Sequence, residues 1–167
     1  MKSFTAAIIV IGDEILSGRT QDSNSHFIAN NLIKEGIKLE EIVVIKDNKD
    51  TIIEKVLSYS NKYSYVFTTG GIGPTHDDIT SESISEAFNL ECTINQDAFK
   101  ILDNYYPKGE FNESRQRMSK MPFGSELILN PMTAAPGFTI KNVYVLPGVP
   151  EIMQVMFEEL IKKINKG

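Results

Sequence analysis

Apolar runs of strand length alternate with stretches of helical period along most of this chain. Residues 5–12, TAAIIVIG, form a continuous apolar run closed by Gly12, as expected of a strand buried on both faces. In SNSHFIANNLIKEG, Phe27, Ile28, Leu32 and Ile33 fall on one side of a predicted helix, and Gly36 stands where a left-handed residue would end it. EEIVVI predicts a second strand. DTIIEKVLSYSNKY carries Ile52, Ile53, Val56 and Leu57 at helical spacing behind polar capping candidates. YVFTT predicts a third strand, followed by a glycine-rich loop and a helix through SESISEAFNL. Strand and helix alternating with short connections imply right-handed parallel crossovers and a three-layer α/β sandwich.

The rhythm lapses between Asp103 and Asn142. NYYPKGEFNESRQRMSK is polar, with a helix expected around residues 112–120, and MPFGSELILNPMTAAPGF has turn residues spaced for short strands around a loop. NVYVLPGVP restores a buried strand broken at PGVP. The tail EIMQVMFEELIKKI then reads as an amphipathic helix with Ile152, Val155, Met156, Leu160 and Ile164 inward, its methionines filling core space. No repeat, low-complexity tract or linker interrupts residues 1–167, so one domain is expected.

A chain of 167 residues suits one core. Its 22 acidic residues against 17 basic ones leave a net charge of −5, which argues against a sequence-independent grip on nucleic acid. The single cysteine, Cys92, excludes an internal disulfide framework and fits a small core residue in a reducing compartment. The N-terminal apolar run is too short for a signal peptide or membrane span, so a soluble cytoplasmic protein is expected.

Three loops follow the carboxyl ends of predicted strands, GDEILSG, KDNKD and GGIGPTHDD, and LPGVP supplies a fourth. In open parallel sheets, ligands collect outside those ends. In FTTGGIGPTHDDIT, Gly70, Gly71 and Gly73 permit positive φ and close approach of backbone to ligand, and the helix that follows aims free N–H groups at an anion. The loop matches neither the Walker A nor the dinucleotide pattern. It also carries Asp77 and Asp78 with no lysine. A carboxylate about 5 Å from a phosphate charge is repelled by roughly 3 kcal/mol at an effective dielectric of 20. A divalent cation, magnesium or manganese, resolves the conflict, since it takes one or two carboxylates plus phosphate oxygens. The alternative is that Asp78 simply caps the following helix.

Asp13 and Glu14 form a second acidic pair, with Ser17, Asn24 and Ser25 as neutral polar contacts; a turn with an N-cap would explain them equally well. Asp47 and Asp50 are open between site and helix cap. His26 belongs to a helix surface or helps to pack it, whereas His76, within the glycine loop beside Thr75, is placed to touch a ligand. No histidine cluster with metal-ligand spacing exists.

Together GDEILSG…DSN, TTGGIGPTHDDIT, NPMTAAPGF and LPGVPEIM resemble the molybdopterin-binding domain of the MoaB and Mog proteins. The similarity is greater to the branch at the N-terminus of CinA and of eukaryotic FAD synthase, and it runs from Ala6 to Phe157. The family fold implied is an α/β/α sandwich on a mainly parallel sheet. Mog-type relatives bind molybdopterin and adenylylate it with magnesium ATP, which implies roles for residues matching Asp78 and Asp47. CinA-type domains imply metal-dependent cleavage of ADP-ribose-like pyrophosphates, and the FAD synthase domain FAD hydrolysis; THDD and TQDSNSHF resemble this branch.

On this resemblance Asp78 and Asp47 are the expected catalytic residues, and Asp78, Asp77 and Asp13 the metal ligands. Gly12, Asp13, Glu14, Ser17, Asn24, Gly70, Gly71, Gly73, Thr75, His76, Pro147, Gly148 and Pro150 are expected to line the ligand. The chain stops at Gly167, so neither CinA's deamidase domain nor the adenylyltransferase domain of FAD synthase is expected. Three functions stay open: a metal-dependent pyrophosphatase acting on an ADP-containing molecule, a molybdopterin binder or adenylyltransferase, and a non-catalytic nucleotide-binding module. The partner expected is a small nucleotide or pterin phosphate, not nucleic acid or membrane, and relatives imply a homodimer or homotrimer.

Overall fold

The computed structural model describes residues 3–164. Its central sheet has six strands in the order β2-β1-β3-β8-β7-β6, where β1 is Thr5–Ile11, β2 Lys38–Ile45, β3 Tyr65–Thr69, β6 Glu126–Ile128, β7 Gly137–Ile140 and β8 Val143–Leu146. Strands β2, β1, β3 and β8 run parallel; β7 is antiparallel to β8, and β6 to β7. The sheet is therefore mainly parallel with an antiparallel edge. A separate ribbon pairs β4 (Cys92–Ile94) antiparallel with β5 (Lys120–Pro122).

Alternation along β1 explains the layers. Ala6, Ile8 and Val10 enter one core with Ile28 and Leu32 of α2 (Asn24–Lys34) and Met153, Met156 and Phe157 of α7 (Pro150–Ile161). Ala7, Ile9 and Ile11 enter the other with Ile52, Val56 and Tyr59 of α3 (Lys49–Lys62) and Ile84 of α4 (Thr80–Ala87). A strand covered on both faces has no polar side to show, so its sequence is a continuous apolar run.

Helix ends follow local chemistry. Asn48 accepts the Thr51 amide with its side chain and caps α3. Neither Asp47 nor Asp50 does this, which corrects the expectation that one of them caps. Gly36, at φ 73°, follows α2 in the left-handed conformation.

The periodicity is misleading at several positions. Ile33 is 72% exposed rather than inward, because α2 buries a narrow stripe through Ile28 and Leu32. In α7 the inward face includes Met153, Phe157 and Ile161, with Ile152 and Val155 only half-buried. Cys92 lies half-buried in β4 rather than in either core. The helix expected at 112–120 is a single turn, α6 (Glu113–Gln116), running into a 3₁₀ turn at Arg117–Ser119. Helix α5 (Gln96–Tyr105), capped by Asn95 and preceded by β4, is an element that the pattern reading passes over.

Candidate functional site

The carboxyl ends of the four parallel strands lie along one edge, and the loops that follow continue their pairing. The Gly12 amide donates to the Ile45 carbonyl at 3.0 Å, and the Gly70 amide to the Leu146 carbonyl at 3.0 Å. GDE, KDN, the glycine loop and PGVP thereby become neighbours, at the point where strand order reverses about β1.

Gly70 and Gly71 adopt φ 98° and 78°. A Cβ on Gly70 would collide with the Ile11 carbonyl oxygen, and one on Gly71 with Thr80 Oγ1. Thr80, fully buried, holds both glycines from below. Its amide donates to the Gly71 carbonyl and its hydroxyl to the Gly70 carbonyl, each at 3.0 Å. The first amide of α4 thus serves the loop, while the next two, of Ser81 and Glu82, donate to no protein atom among the described residues. The amides of Ile72 and Gly73, like that of Gly71, also donate to no protein atom among the described residues, and all of these are free for an anion. Gly73 serves a steric purpose rather than a left-handed turn, since a Cβ there would lie 2.8 Å from Asp78 Oδ2.

Asp78 does not cap α4. Ile79 is the N-cap and no side chain caps it. Instead Asp78 Oδ2 accepts from the Thr75 amide at 3.0 Å and from the Thr75 hydroxyl at 2.9 Å, which fixes the carboxylate within its loop. Asp13 and Asp47 fix each other: the Asp13 amide donates to Asp47 Oδ2 at 3.3 Å, and the Asp47 amide to Asp13 Oδ1 at 3.1 Å. Partial burial, together with the charges of Asp13, Glu14 and Asp78, pushes the Asp47 carboxyl above its ordinary range, against the opposing effect of the Asp13 amide.

These groups converge on a polar cavity of about 420 Å³ walled by Asp13, Glu14, Asp47, Asp77, Asp78 and His76. Arg19 also lines it, a cation that sequence spacing gave no reason to place there. Among the described residues no three His, Cys, Asp or Glu side chains gather closely enough to cage a metal alone. Magnesium does not need such a cage, since it keeps waters and takes phosphate oxygens. The free oxygens of Asp13, Asp47 and Asp78, with the Asp47 carboxyl raised by burial and then by its negative neighbours, fit such a partly ligated cation.

Beside this lies a larger, mostly apolar groove of about 550 Å³. Gly70, Gly71, Gly73, Pro147, Gly148 and Pro150 form one wall, as expected from their loops. Tyr106, Met118, Asn130, Thr133 and Pro136 add to it from the segment whose rhythm lapses, and Ile152 adds to it from α7. Asn130 orders its loop by accepting the Met132 and Thr133 amides and donating to Thr133 Oγ1 and the Ala135 carbonyl, which holds Ala134 at φ 76°. Asn24 is buried and donates to the Gly148 carbonyl at 2.9 Å, tying α2 to PGVP. Gly12, Ser17, Asn24 and Thr75, expected at the ligand, line neither cavity; Gly12 and Asn24 are buried, Ser17 and Thr75 exposed, and Thr75 acts through Asp78. No helix among the described residues is long and apolar enough to cross a membrane.

Residues 7–166 match the family described as "probable molybdopterin binding domain". A CinA-like protein of Sulfurihydrogenibium sp. is 36% identical over 96% of this chain, which spans 42% of that protein's length. A probable FAD synthase of Caenorhabditis elegans is 37% identical over 93% of the chain, which spans 34% of its length. The crystal structure of CinA from Thermoplasma acidophilum, a protein of unknown function, superposes with a TM-score of 0.91 at 32% identity, covering 98% of this chain and 99% of that one.

Proposed function

This chain belongs to the molybdopterin-binding domain family, on its CinA-like side, and on that premise we propose that it binds an ADP-containing nucleotide or a phosphorylated pterin and cleaves a pyrophosphate bond with the help of a divalent metal. The observation that carries this reading is the junction at Asp78, which lines both the apolar groove and the acidic cavity. A flat heterocycle has an apolar groove of suitable size on one side. Its phosphates meet the Ile72 and Gly73 amides and the carboxylates on the other.

Cleavage adds water across the bridge. A bond forms from the water oxygen to one phosphorus, the bond from that phosphorus to the bridging oxygen breaks, and two phosphate products leave. The chain's own residues would position these atoms. The glycine loop lets its backbone approach the phosphate, Thr75 holds Asp78 in place, and Asp13 and Asp47 lock each other at the ends of β1 and β2. Asp47, whose carboxyl is pushed upward by its surroundings, is suited to receive the proton that water gives up. Magnesium or manganese held by Asp78 and Asp13, with Asp77 at the rim, would supply positive charge against the phosphate oxygens.

The test is incubation with ADP-ribose, FAD or ATP and magnesium or manganese, followed by chromatography for AMP. Release of AMP that disappears in EDTA is expected; no AMP from any of them, with binding retained, would leave a non-catalytic module. The family description favours a second reading, binding of molybdopterin, to which adenylylation of the bound pterin would be the added step. AMP transfer from ATP to a pterin phosphate in the same assay would support it.

A further inference from the structure

The glycine loop carries no lysine, and the cations missing from it stand on its far side. A cavity of about 160 Å³ is lined by Ile72, Gly73, Asp78, Ser81 and Glu82 from the glycine loop and α4 and by Arg117 and Lys120 from the segment after α6, together with Cys92 of β4. Arg117 belongs to the 3₁₀ turn and Lys120 opens β5, whose pairing with β4 brings them against the start of α4. Neither cation enters an ion pair among the described residues, although Asp78 and Glu82 face them. The Cys92 thiol, raised by burial, stays neutral at pH 7 and offers no competing anion. Asp78, Ile72 and Gly73 are shared between this cavity and the apolar groove, and Asp78 also borders the acidic cavity.

We propose that Arg117 and Lys120 form an anion subsite for the second phosphate of a diphosphate-containing ligand, reached across Gly73 from the groove. This rests on the reading that the groove takes a phosphorylated heterocycle. The arrangement separates signs of charge along one path: heterocycle in the groove, the first phosphate at the Ile72 and Gly73 amides beside the acidic residues, the second phosphate between two unpaired cations. A monophosphate would leave those cations unused, so the subsite selects diphosphates.

The test uses inorganic pyrophosphate as probe, titrated calorimetrically both in EDTA and in magnesium, on the wild-type chain, the double variant Arg117→Gln/Lys120→Gln and Lys163→Gln as a control for overall charge. Both cations are exposed, so the double variant is expected to melt like the wild type. Pyrophosphate affinity should fall at least tenfold in the double variant and stay within twofold in the control, with adenosine affinity unchanged throughout. In nucleotide assays the double variant should lose most of the preference for ADP over AMP. Equal pyrophosphate affinity in wild type and double variant, or no binding to the wild type in either condition, would overturn the subsite. Charge-dependent pyrophosphate binding without AMP release from any nucleotide would instead refute the catalytic reading while keeping the subsite.

Discussion

Asp13 and Asp47 each accept the other's backbone amide, joining the ends of β1 and β2 through a reciprocal pair of hydrogen bonds. Each carboxylate keeps one oxygen outside this pair, and both line the acidic cavity beside Asp78. Burying an ionised carboxylate costs stability; partial burial first, and then the charges of Asp13, Glu14 and Asp78, raise the Asp47 carboxyl against the lowering effect of the Asp13 amide.

Stability should reflect it with a definite sign. A carboxyl whose folded pKa lies above its unfolded value favours the folded state when protonated and opposes it once ionised. Asp47→Asn should therefore raise the melting temperature at pH 7, with the gain shrinking as pH falls through the ordinary aspartate range. The group is partly solvated, so the gain should stay below about 1 kcal/mol, or about 2–4 °C. Thermal melts of both proteins from pH 3 to 8 check this; an Asp47→Asn protein less stable than wild type at pH 7 contradicts it. Turnover, where Asp47 receives the proton, should fall at least a hundredfold.

Asp78→Asn separates charge from loop structure. Asparagine keeps an acceptor for the Thr75 amide and hydroxyl, so stability should change by less than about 1 kcal/mol. Loss of the charge should lower AMP release by about 10²–10³-fold, with ligand affinity reduced less. Asp77→Asn, at an exposed rim position, should have the smaller effect. A melt and a cleavage assay on both variants decide; normal turnover by Asp78→Asn removes that residue from the chemistry.

Gly71→Val should lose both fold stability and ligand. At φ 78° a β-branched residue is strained by about 1–3 kcal/mol, and its Cβ meets Thr80 Oγ1 beneath the loop. Denaturant titration should show a loss of about 2–4 kcal/mol once steric overpacking is added. Any folded fraction should bind nucleotide at least tenfold more weakly. Wild-type stability in this variant would mean that the loop is not held as described.

Nucleotide affinity should weaken in EDTA and recover with magnesium or manganese, because the acidic cavity otherwise repels the phosphates. Calorimetry that returned one affinity in both conditions would refute the role assigned to the carboxylates.

Much of this molecule is legible in local pattern. A continuous apolar run such as TAAIIVIG implies a strand covered on both faces, and strands alternating with amphipathic helices leave few architectures. The carboxyl-end loops follow from that order, so Asp13, Asp47 and Asp78 can be expected at one edge before any coordinate is known. Which face of a helix is buried depends on its neighbours, and so Ile33 is exposed while Met153 and Phe157 are inside. Whether Asp78 caps a helix or turns back to Thr75 depends on a difference of one residue in where α4 starts, a choice that buried Thr80 decides by holding Gly70 and Gly71. The second wall of the groove and the Arg117–Lys120 pair come from residues 106–136, whose short elements have no period of their own and take their places only by packing against the rest. Charge placement across the site is decided there, because side chains distant in sequence become neighbours only when the sheet edge and the β4–β5 ribbon bring them together.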